Sequence, residues 1–238
     1  MSGHARRATR SRRPLPPPDL GQHFIASAAV AARIVDDAGI TAADAVLEPG
    51  AGAGVLTAAL AARAAHVTAV ELDGELAVAT AQRFRTDAAV SVVHADATLV
   101  ALPVTPFRVV GNPAFGATAA LLRHLLDFPP DRAVHGLLRA DLVVQWQVAR
   151  HRATVTDDLL GATWAPWWTF RRGRRLPAAL FRPAPGVDAA VLVAERRADP
   201  LLPPSVFADY AASVRERFGR GASRVEAEQV VEELGSSS

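Results

Sequence analysis

Two spacings of apolar residues alternate along the chain from residue 20 onward. Apolar positions three or four residues apart predict amphipathic helices over residues 27–38, 55–64, 75–84, 118–126 and 141–150. Ser27 is the expected N-cap of the first helix. Short segments rich in apolar residues predict strands over residues 45–47, 66–72, 89–94, 107–111 and 133–138. Because strands that alternate with helices of this length form parallel βαβ units, we predict an α/β fold with a mostly parallel sheet.

The pattern changes towards the end of the chain. Residues 163–174 and 187–196 predict two consecutive strands without a helix between them, which is typical of an antiparallel pair that closes a sheet edge. A Pro-rich linker and two short helical patterns, over residues 206–218 and 224–234, follow. We therefore expect three parts: a disordered Arg/Pro-rich arm (1–18), a main domain (19–199), and a short helical C-terminal domain with a tail (200–238).

Composition narrows the classes of protein. The chain has 238 residues, of which 50% are hydrophobic and 21% charged, so it can bury a core without covalent staples. It contains no cysteine, which excludes disulfides, Cys-ligated zinc and a thiol nucleophile. Apolar runs fall short of the roughly 18 residues of a membrane-spanning helix, and the seven histidines have no ligand spacing. We expect a cytoplasmic monomer without a metal.

The formal net charge of +2 conceals a segregation of charge. All 26 basic residues are arginine, a bias that a GC-rich genome would explain, and five of them lie in residues 1–18 without an acid. Residues 150–182 hold seven arginines and two aspartates. The planar guanidinium group suits phosphate recognition and stacking, so both segments are candidates for contact with nucleic acid.

A glycine-rich loop follows the first predicted strand of the parallel series. Gly50, Gly52 and Gly54 open the next helix, and glycines there let the backbone approach a ligand closely, although a turn made only for packing would also use them. Glu48 precedes the loop, where an acid disfavours a pyrophosphate. It favours a cationic ligand, such as the amino group and sulfonium of S-adenosylmethionine.

Acids also end the next two predicted strands. Glu71 stands where a carboxylate can accept both ribose hydroxyls of a nucleoside, and Asp96 could accept from the adenine amino group. Each alone could be a solvated acid at a strand end. Together with Glu48 they place three acids at the edge where open parallel sheets bind ligands.

The strand over residues 107–111 leads into Asn112-Pro113-Ala114-Phe115, which resembles the catalytic turn of methyltransferases that act on planar exocyclic amines. The lone pair of an adenine amino group is delocalised into the ring. An Asn side-chain oxygen and a backbone carbonyl that accept its two N–H hydrogens would return electron density to the nitrogen, and an aromatic ring would stack on the extruded base.

From this turn outward, the chain over roughly residues 20–204 resembles the Erm family of ribosomal RNA adenine N6-methyltransferases. The matching segments are Gly21-Gln22-His23-Phe24, VLEPGAGAGVLT from Val46, Val70-Glu71-Leu72-Asp73, His94-Ala95-Asp96, VVQWQVAR from Val143 and LFRPAPGVDAAVL from Leu180. The turn departs from the family in having Pro second and Ala third, Ala189 stands where Ser is usual, and the tail after Arg197 is short.

The resemblance implies a Rossmann-like class I methyltransferase fold with a seven-stranded, mostly parallel sheet and a small C-terminal helical domain. It implies that Asn112 and the carbonyl of Pro113 hold the target amine, and that Phe115, with Phe181 as a second aromatic, contacts the base. The implied cofactor is S-adenosylmethionine, and its contacts are Gln22, Glu48, Gly50, Gly52, Gly54, Glu71, Leu72, Asp96, Ala97 and Asn112. The implied substrate is one adenine of 23S rRNA, with resistance to macrolides, lincosamides and streptogramin B as the result.

Three alternatives stay open. The chain could be a small-subunit rRNA adenine dimethyltransferase, a DNA adenine or protein glutamine methyltransferase, or a non-catalytic RNA-binding protein that retains the fold. The short tail favours the Erm family over the first, and the complete set of site residues argues against the last.

An aromatic segment runs directly into the densest arginine run. We expect Trp164, Trp167 and Trp168 to lie mostly in the core, and also Trp146 on its own helix. The run itself predicts an RNA-binding surface, although a solvated charged face would have the same composition; its members are Arg171, Arg172, Arg174 and Arg175.

Overall fold

The computed structural model describes residues 21–130 and 133–235, so the predicted arm over residues 1–18 lies outside the described part. The strands are β1 (Phe24–Ile25), β2 (Ala45–Pro49), β3 (His66–Glu71), β4 (Val90–His94), β5 (Phe107–Gly111), β6 (Leu137–Gln145), β7 (Trp168–Leu176), β8 (Phe181–Arg182) and β9 (Ala189–Arg196). The helices are α1 (Ala28–Ala38), α2 (Val55–Ala61), α3 (Gly74–Arg83), α4 (Thr118–Leu126), α5 (Trp146–Thr154), α6 (Leu159–Trp164), α7 (Phe207–Gly219) and α8 (Ala227–Gly235).

Seven strands form one sheet in the order β4-β3-β2-β5-β6-β9-β7. Only β9 runs against the others, because it pairs antiparallel with both β6 and β7, whereas the remaining neighbours pair parallel. The prediction of an α/β fold with a seven-stranded, mostly parallel sheet is confirmed. The order of strands reverses between β2 and β5, and open α/β sheets bind ligands at such a point.

Apolar side chains cover both faces of the sheet. One cluster joins α1 and α2 to β2, β3 and the outer face of β9. The other joins α4, α6 and the C-terminal helices to the opposite face, with Trp164, Trp167 and Trp168 at most 1% exposed. The prediction that these three tryptophans are core residues is confirmed. Trp146 is partly buried and packs against the edge of the same cluster, so the prediction is confirmed only in part for it.

The helix predicted over residues 141–150 begins five residues later than expected, because residues 141–145 belong to β6. β6 lies between β5 and β9 and is buried on both faces, so it carries an apolar run without alternation. Two charged residues interrupt that run: Asp141, 2% exposed, accepts bonds of 2.7 and 2.8 Å from Arg139. This internal ion pair interrupts the apolar run where the predicted strand ends and the predicted helix begins.

The strand predicted over residues 163–174 begins only at Trp168, because α6 occupies Leu159–Trp164. Asp158 caps α6 by accepting from the Gly161 amide at 2.7 Å. Gly161 is required here, since a Cβ on it would lie 2.8 Å from the backbone of Thr156. The expected antiparallel pair at the sheet edge is present as β9 and β7, with β7 outermost.

The two C-terminal helices pack against the main sheet's own core. Tyr210 of α7 is fully buried and donates to the carbonyl of Ala162 at 2.8 Å, and α8 adds Val230 to the same cluster. Within the described ranges, every helix is too short or too polar to cross a membrane. The same residues contain no group of three or more His, Asp or Glu side chains that could hold a metal ion.

Candidate active site

The glycine loop after β2 lies directly against the turn after β5. Gly50 has φ +76°, and a Cβ on it would lie 2.9 Å from the backbone oxygen of Asn112 and 3.1 Å from the Cα of Pro113. Gly111 makes a similarly close approach to Pro49, at 2.6 Å from its ring carbons. The absence of side chains at these two positions lets the neighbouring strand ends touch, which brings the glycine loop and the turn at Asn112 together.

Glu71 at the end of β3 orders that loop. Its Oε2 accepts from the Gly52 amide at 2.7 Å and its Oε1 from the Asp73 amide at 2.9 Å. The side chain is 3% exposed yet lines the pocket at the carboxyl edge of the sheet. A carboxylate has about four acceptor positions, so two backbone donors leave capacity for hydroxyl groups of a ligand.

Asp96 lies after β4 on the far wall of the same pocket. Its Oδ1 accepts from both the backbone amide and the hydroxyl of Thr98, each at 2.8 Å, and these bonds hold the pKa of Asp96 below its usual value. The group therefore stays ionised as an acceptor. Eight of the predicted residues line this one pocket: Gln22, Gly50, Glu71, Leu72, Asp96, Ala97, Asn112 and Pro113.

Glu48 lies behind the pocket and does not line it. Its carboxyl group is completely buried next to Thr57, and neither oxygen has a hydrogen-bond partner of normal geometry among the described residues. Burial is the main reason why the pKa of Glu48 is raised to about 8, and the nearby charge of Glu71 adds to the effect. Near neutral pH this residue is mostly a neutral acid, which differs from the anionic cofactor contact predicted from the sequence.

The other two glycines of the loop turn towards the protein interior. A Cβ on Gly52 would lie 2.8 Å from the ring of Phe24, and one on Gly54 would lie 2.8 Å from the ring of Phe84. Both have positive φ, 55° and 75°. They shape the loop, whereas Gly50 faces the pocket.

The side chain of Asn112 is held in one orientation. Its Nδ2 donates to the backbone carbonyl of His23 at 2.7 Å. A carbonyl can only accept, so this bond assigns the amide and directs Oδ1 as the free acceptor. Asn112 Oδ1 is buried without a partner in the described part of the chain, and so is Oε1 of Gln22, which shares the pocket. Both residues line the pocket, so these two acceptors are available to a ligand bound there.

Residues 17–233 match the family model described as ribosomal RNA adenine dimethylase. The chain belongs to this family. An rRNA adenine N-6-methyltransferase of Corynebacterium diphtheriae is 38% identical over 209 residues, which cover 86% of this chain and 79% of the relative. The mycinamicin-resistance protein MyrB of Micromonospora griseorubida is 41% identical over 212 residues, covering 87% and 65%. The crystal structure of the 23S rRNA methyltransferase ErmE superposes with a TM-score of 0.72 at 30% identity, covering 84% and 80%.

The predicted aromatic residues of this dimethylase-family site lie at different depths. Phe115 begins a 3₁₀ turn before α4, is half-buried, and lies 5.2 Å from the ring of His23. Phe181 in β8 is fully buried in the core cluster beneath α1 and pairs with Ile25 of β1. Of these two residues, Phe115 is partly exposed and Phe181 is not.

His23 is a site residue that sequence reasoning missed. Besides fixing Asn112 through its carbonyl, it contacts Phe115, and its Nδ1 bonds to the carbonyl of Pro183 at 2.9 Å. His23 thus connects its own segment of this family member to Asn112 and to Pro183, which lie 89 and 160 residues further along the chain. The Gly-Gln-His-Phe motif was the only signal available, and it does not reveal these partners.

The four predicted RNA-binding arginines divide between the two faces of β7. Arg174 forms a two-bond ion pair with Asp37 of α1, at 2.5 and 2.8 Å, and these bonds lower the pKa of Asp37. Arg172 and Arg175 lie over the ring of Trp146, on the side of α5. The arginine run is therefore divided between two surfaces, one beside α1 and one beside α5.

Proposed function

We propose that this protein transfers a methyl group from S-adenosylmethionine to the N6 amine of one adenine in 23S rRNA, and so confers resistance to macrolides, lincosamides and streptogramin B. Family membership and the names of the relatives support the reaction and the class of substrate. The main structural support for the proposed reaction is the side chain of Asn112. Its Nδ2 is bound to the carbonyl of His23, and its Oδ1 is buried without a partner among the described residues. The chain spans 79% and 65% of the lengths of these two relatives, and we therefore propose the activity of the whole protein instead of transferring it from them.

The pocket fits the proposed cofactor at several points. Glu71 would accept the ribose hydroxyls, the remaining oxygen of Asp96 would accept the adenine amino group, and Leu72 and Ala97 would flank the adenine ring. Gly50 keeps the loop free of a side chain, and Gln22 offers an unpartnered acceptor to the amino group of the methionine portion. When bound, S-adenosylmethionine supplies an electrophilic methyl group on its sulfonium.

The catalytic turn would act mainly by orientation. Asn112 Oδ1 accepts one N–H of the target amine, and the carbonyl of Pro113 is proposed to accept the other. Both contacts strengthen as the nitrogen becomes nucleophilic, so they stabilise the transition state more than the ground state. Because Asn112 is already anchored, little reorganisation is needed at the moment of reaction.

Phe115 is the residue proposed to stack on the extruded adenine. Its half-exposed ring lies beside Asn112 on the same turn, and stacking on an aromatic ring contributes about 1–3 kcal/mol per base. Phe181 would have to become exposed to contact the base directly. In its described position it supports β1 and the segment that bonds to His23.

Primer extension on rRNA from cells that express the chain tests this function. We expect one modified adenine in 23S rRNA, no new modification in 16S rRNA, and growth in a macrolide. Cells that express the Asn112→Ala variant at an equal level are the matched control and should show neither effect. Modification of 16S rRNA alone would instead establish the small-subunit alternative.

A further inference from the structure

We propose that Trp146, Arg172 and Arg175 form one surface, the tryptophan platform, that binds the phosphate backbone of the RNA beside the active site. The guanidinium carbons of Arg172 and Arg175 lie 4.3 and 4.9 Å from the centroid of the Trp146 ring. The proposal rests on the proposed function and restricts the predicted arginine run to two of its four members.

A β-bulge brings these two arginines to one face. In a regular strand, residues three apart point to opposite faces. Between Arg172, which pairs with Leu192, and Arg175, which pairs with Ala190, β7 has one residue more than β9. Leu192 and Ala190 both face the core cluster on the α5 side, so their partners do as well. The extra residue reverses the alternation and places both guanidinium groups over Trp146.

The other two arginines face the opposite side of the sheet, because each directly precedes one of the platform arginines in the strand. Arg171 pairs with Val193, which belongs to the cluster on the α1 side. Arg174 is bound to Asp37 of α1 on that side, and both arginines lower the pKa of Asp37. The guanidinium group of Arg174 is therefore occupied by its ion pair with Asp37, and the tryptophan platform lies on the opposite face of the sheet from this pair.

Stacking prepares Arg172 for phosphate. The guanidinium carbon lies 4.3 Å from the centroid of the indole, and this contact positions the group while its N–H donors can still bind an oxyanion. Arg172 is exposed and makes no hydrogen bond or ion pair with any described residue, so all its donors are available. Arg175 is partly neutralised, because Asp188 accepts from it at 2.7 and 3.0 Å. Arg172 should therefore contribute the larger share of the salt-dependent binding.

The platform lies on the same sheet edge as the catalytic turn. β5 and β6 are parallel neighbours, and Asn112 and Trp146 follow their respective carboxyl ends. Asp188 connects the two regions: it accepts from Arg175 and from the amide of Ala178, which begins the segment leading to Pro183 and His23. A phosphate on the platform and a base at Asn112 can thus belong to one RNA strand.

The test measures binding of a protein-free 23S rRNA transcript across a series of salt concentrations. For Arg172→Gln we expect the log–log salt slope to fall by about 0.7–0.9, as for one lost phosphate contact. Arg175→Gln should change the slope less. Trp146→Ala should weaken binding about two- to fivefold, the size of an exposed cation–π contact, and Trp146→Phe should recover part of this loss. Arg174→Gln is the matched control and should leave the slope unchanged.

The proposal is overturned if Arg172→Gln keeps the parental slope, or if Arg174→Gln reduces it equally. Each variant is also tested for methylation at saturating RNA and for its melting temperature. Methylation that persists with unchanged slopes would remove the platform and leave the proposed function intact. An absence of methylation by the parent protein on 23S rRNA would remove the proposed function itself.

Discussion

The Cα of Gly50 faces the backbone oxygen of Asn112 so closely that a methyl group on Gly50 would lie 2.9 Å from it. Gly50→Ala should therefore disturb the cofactor loop and the catalytic turn together. The left-handed backbone at φ +76° adds strain of roughly 1–3 kcal/mol for a residue with a Cβ. We expect a lower melting temperature and a loss of methyl transfer, measured by thermal unfolding and single-turnover methylation.

Gly186→Ala is the matched control for that substitution. Gly186 has no positive φ, and a Cβ on it would meet no atom within 4 Å. The free energy of unfolding of the Gly186→Ala variant should differ from that of the parent by no more than about 0.5 kcal/mol. If the Gly50→Ala and Gly186→Ala variants have the same melting temperature and the same rate of methyl transfer, the close approach of the loop and the turn is not required for function.

Asn112→Ala should separate binding from chemistry. The variant loses one hydrogen bond to His23, which costs about 0.5–1.5 kcal/mol of stability, and it keeps the walls of the pocket. Methyl transfer should fall by about 10²–10³-fold, as for other preorganised transition-state contacts, with S-adenosylmethionine affinity retained. His23→Ala keeps the backbone carbonyl that anchors Asn112, so it should retain more activity. A well-folded Asn112→Ala protein with parental single-turnover rates would refute the mechanism.

Glu71→Ala should weaken S-adenosylmethionine binding in calorimetry. Hydrogen bonds to a charged group contribute about 1.5–3 kcal/mol, which corresponds to roughly ten- to hundredfold in affinity. The variant also frees the amides of Gly52 and Asp73, so its melting temperature should fall. Thr98→Ala removes only a hydroxyl bond to Asp96 and serves as the milder comparison. Unchanged affinity in a folded Glu71→Ala protein would exclude the ribose role.

Glu48→Gln should alter how stability depends on pH. Burial raises the pKa of Glu48 from 4.5 to about 8, so between these values the unfolded chain has released a proton that the folded protein retains. The parent therefore loses stability as pH rises through this window, by up to about 1.4 kcal/mol per pH unit. The amide variant lacks this loss. Denaturant unfolding should show the two proteins nearly equal near pH 4.5 and the variant favoured at pH 7, and a constant difference would contradict the raised pKa.

Much of the fold could be predicted from local pattern, and the errors have specific physical causes. From α1 to α4 each helix buries one face and each strand is a short apolar run, so their existence followed from periodicity. β6 did not, since the ion pair between Arg139 and Asp141 is satisfied inside the sheet. β1 and β8 are two residues long and are defined only by pairing with each other across the chain.

The candidate site shows the same division. Glycines and acids at strand ends identified the positions that line the pocket, because parallel strands bring their carboxyl ends to one edge. Sequence could not show that Glu48 is buried behind the loop, nor that His23 holds Asn112. Both facts depend on tertiary packing between segments that share no local pattern.

The bulge in β7 means that the spacing of the arginines does not by itself tell which surface they serve. Deleting Gly173 would restore regular alternation and leave the number of charges unchanged. Arg172 and the former Arg175 would then be two residues apart and would still share a face, so the bulge is what lets arginines three apart do so here. Relatives that keep the three-residue spacing of these arginines in a strand without a bulge would place them on opposite faces and present a different surface to RNA. Comparison within the family should therefore follow the strand register in addition to residue identity.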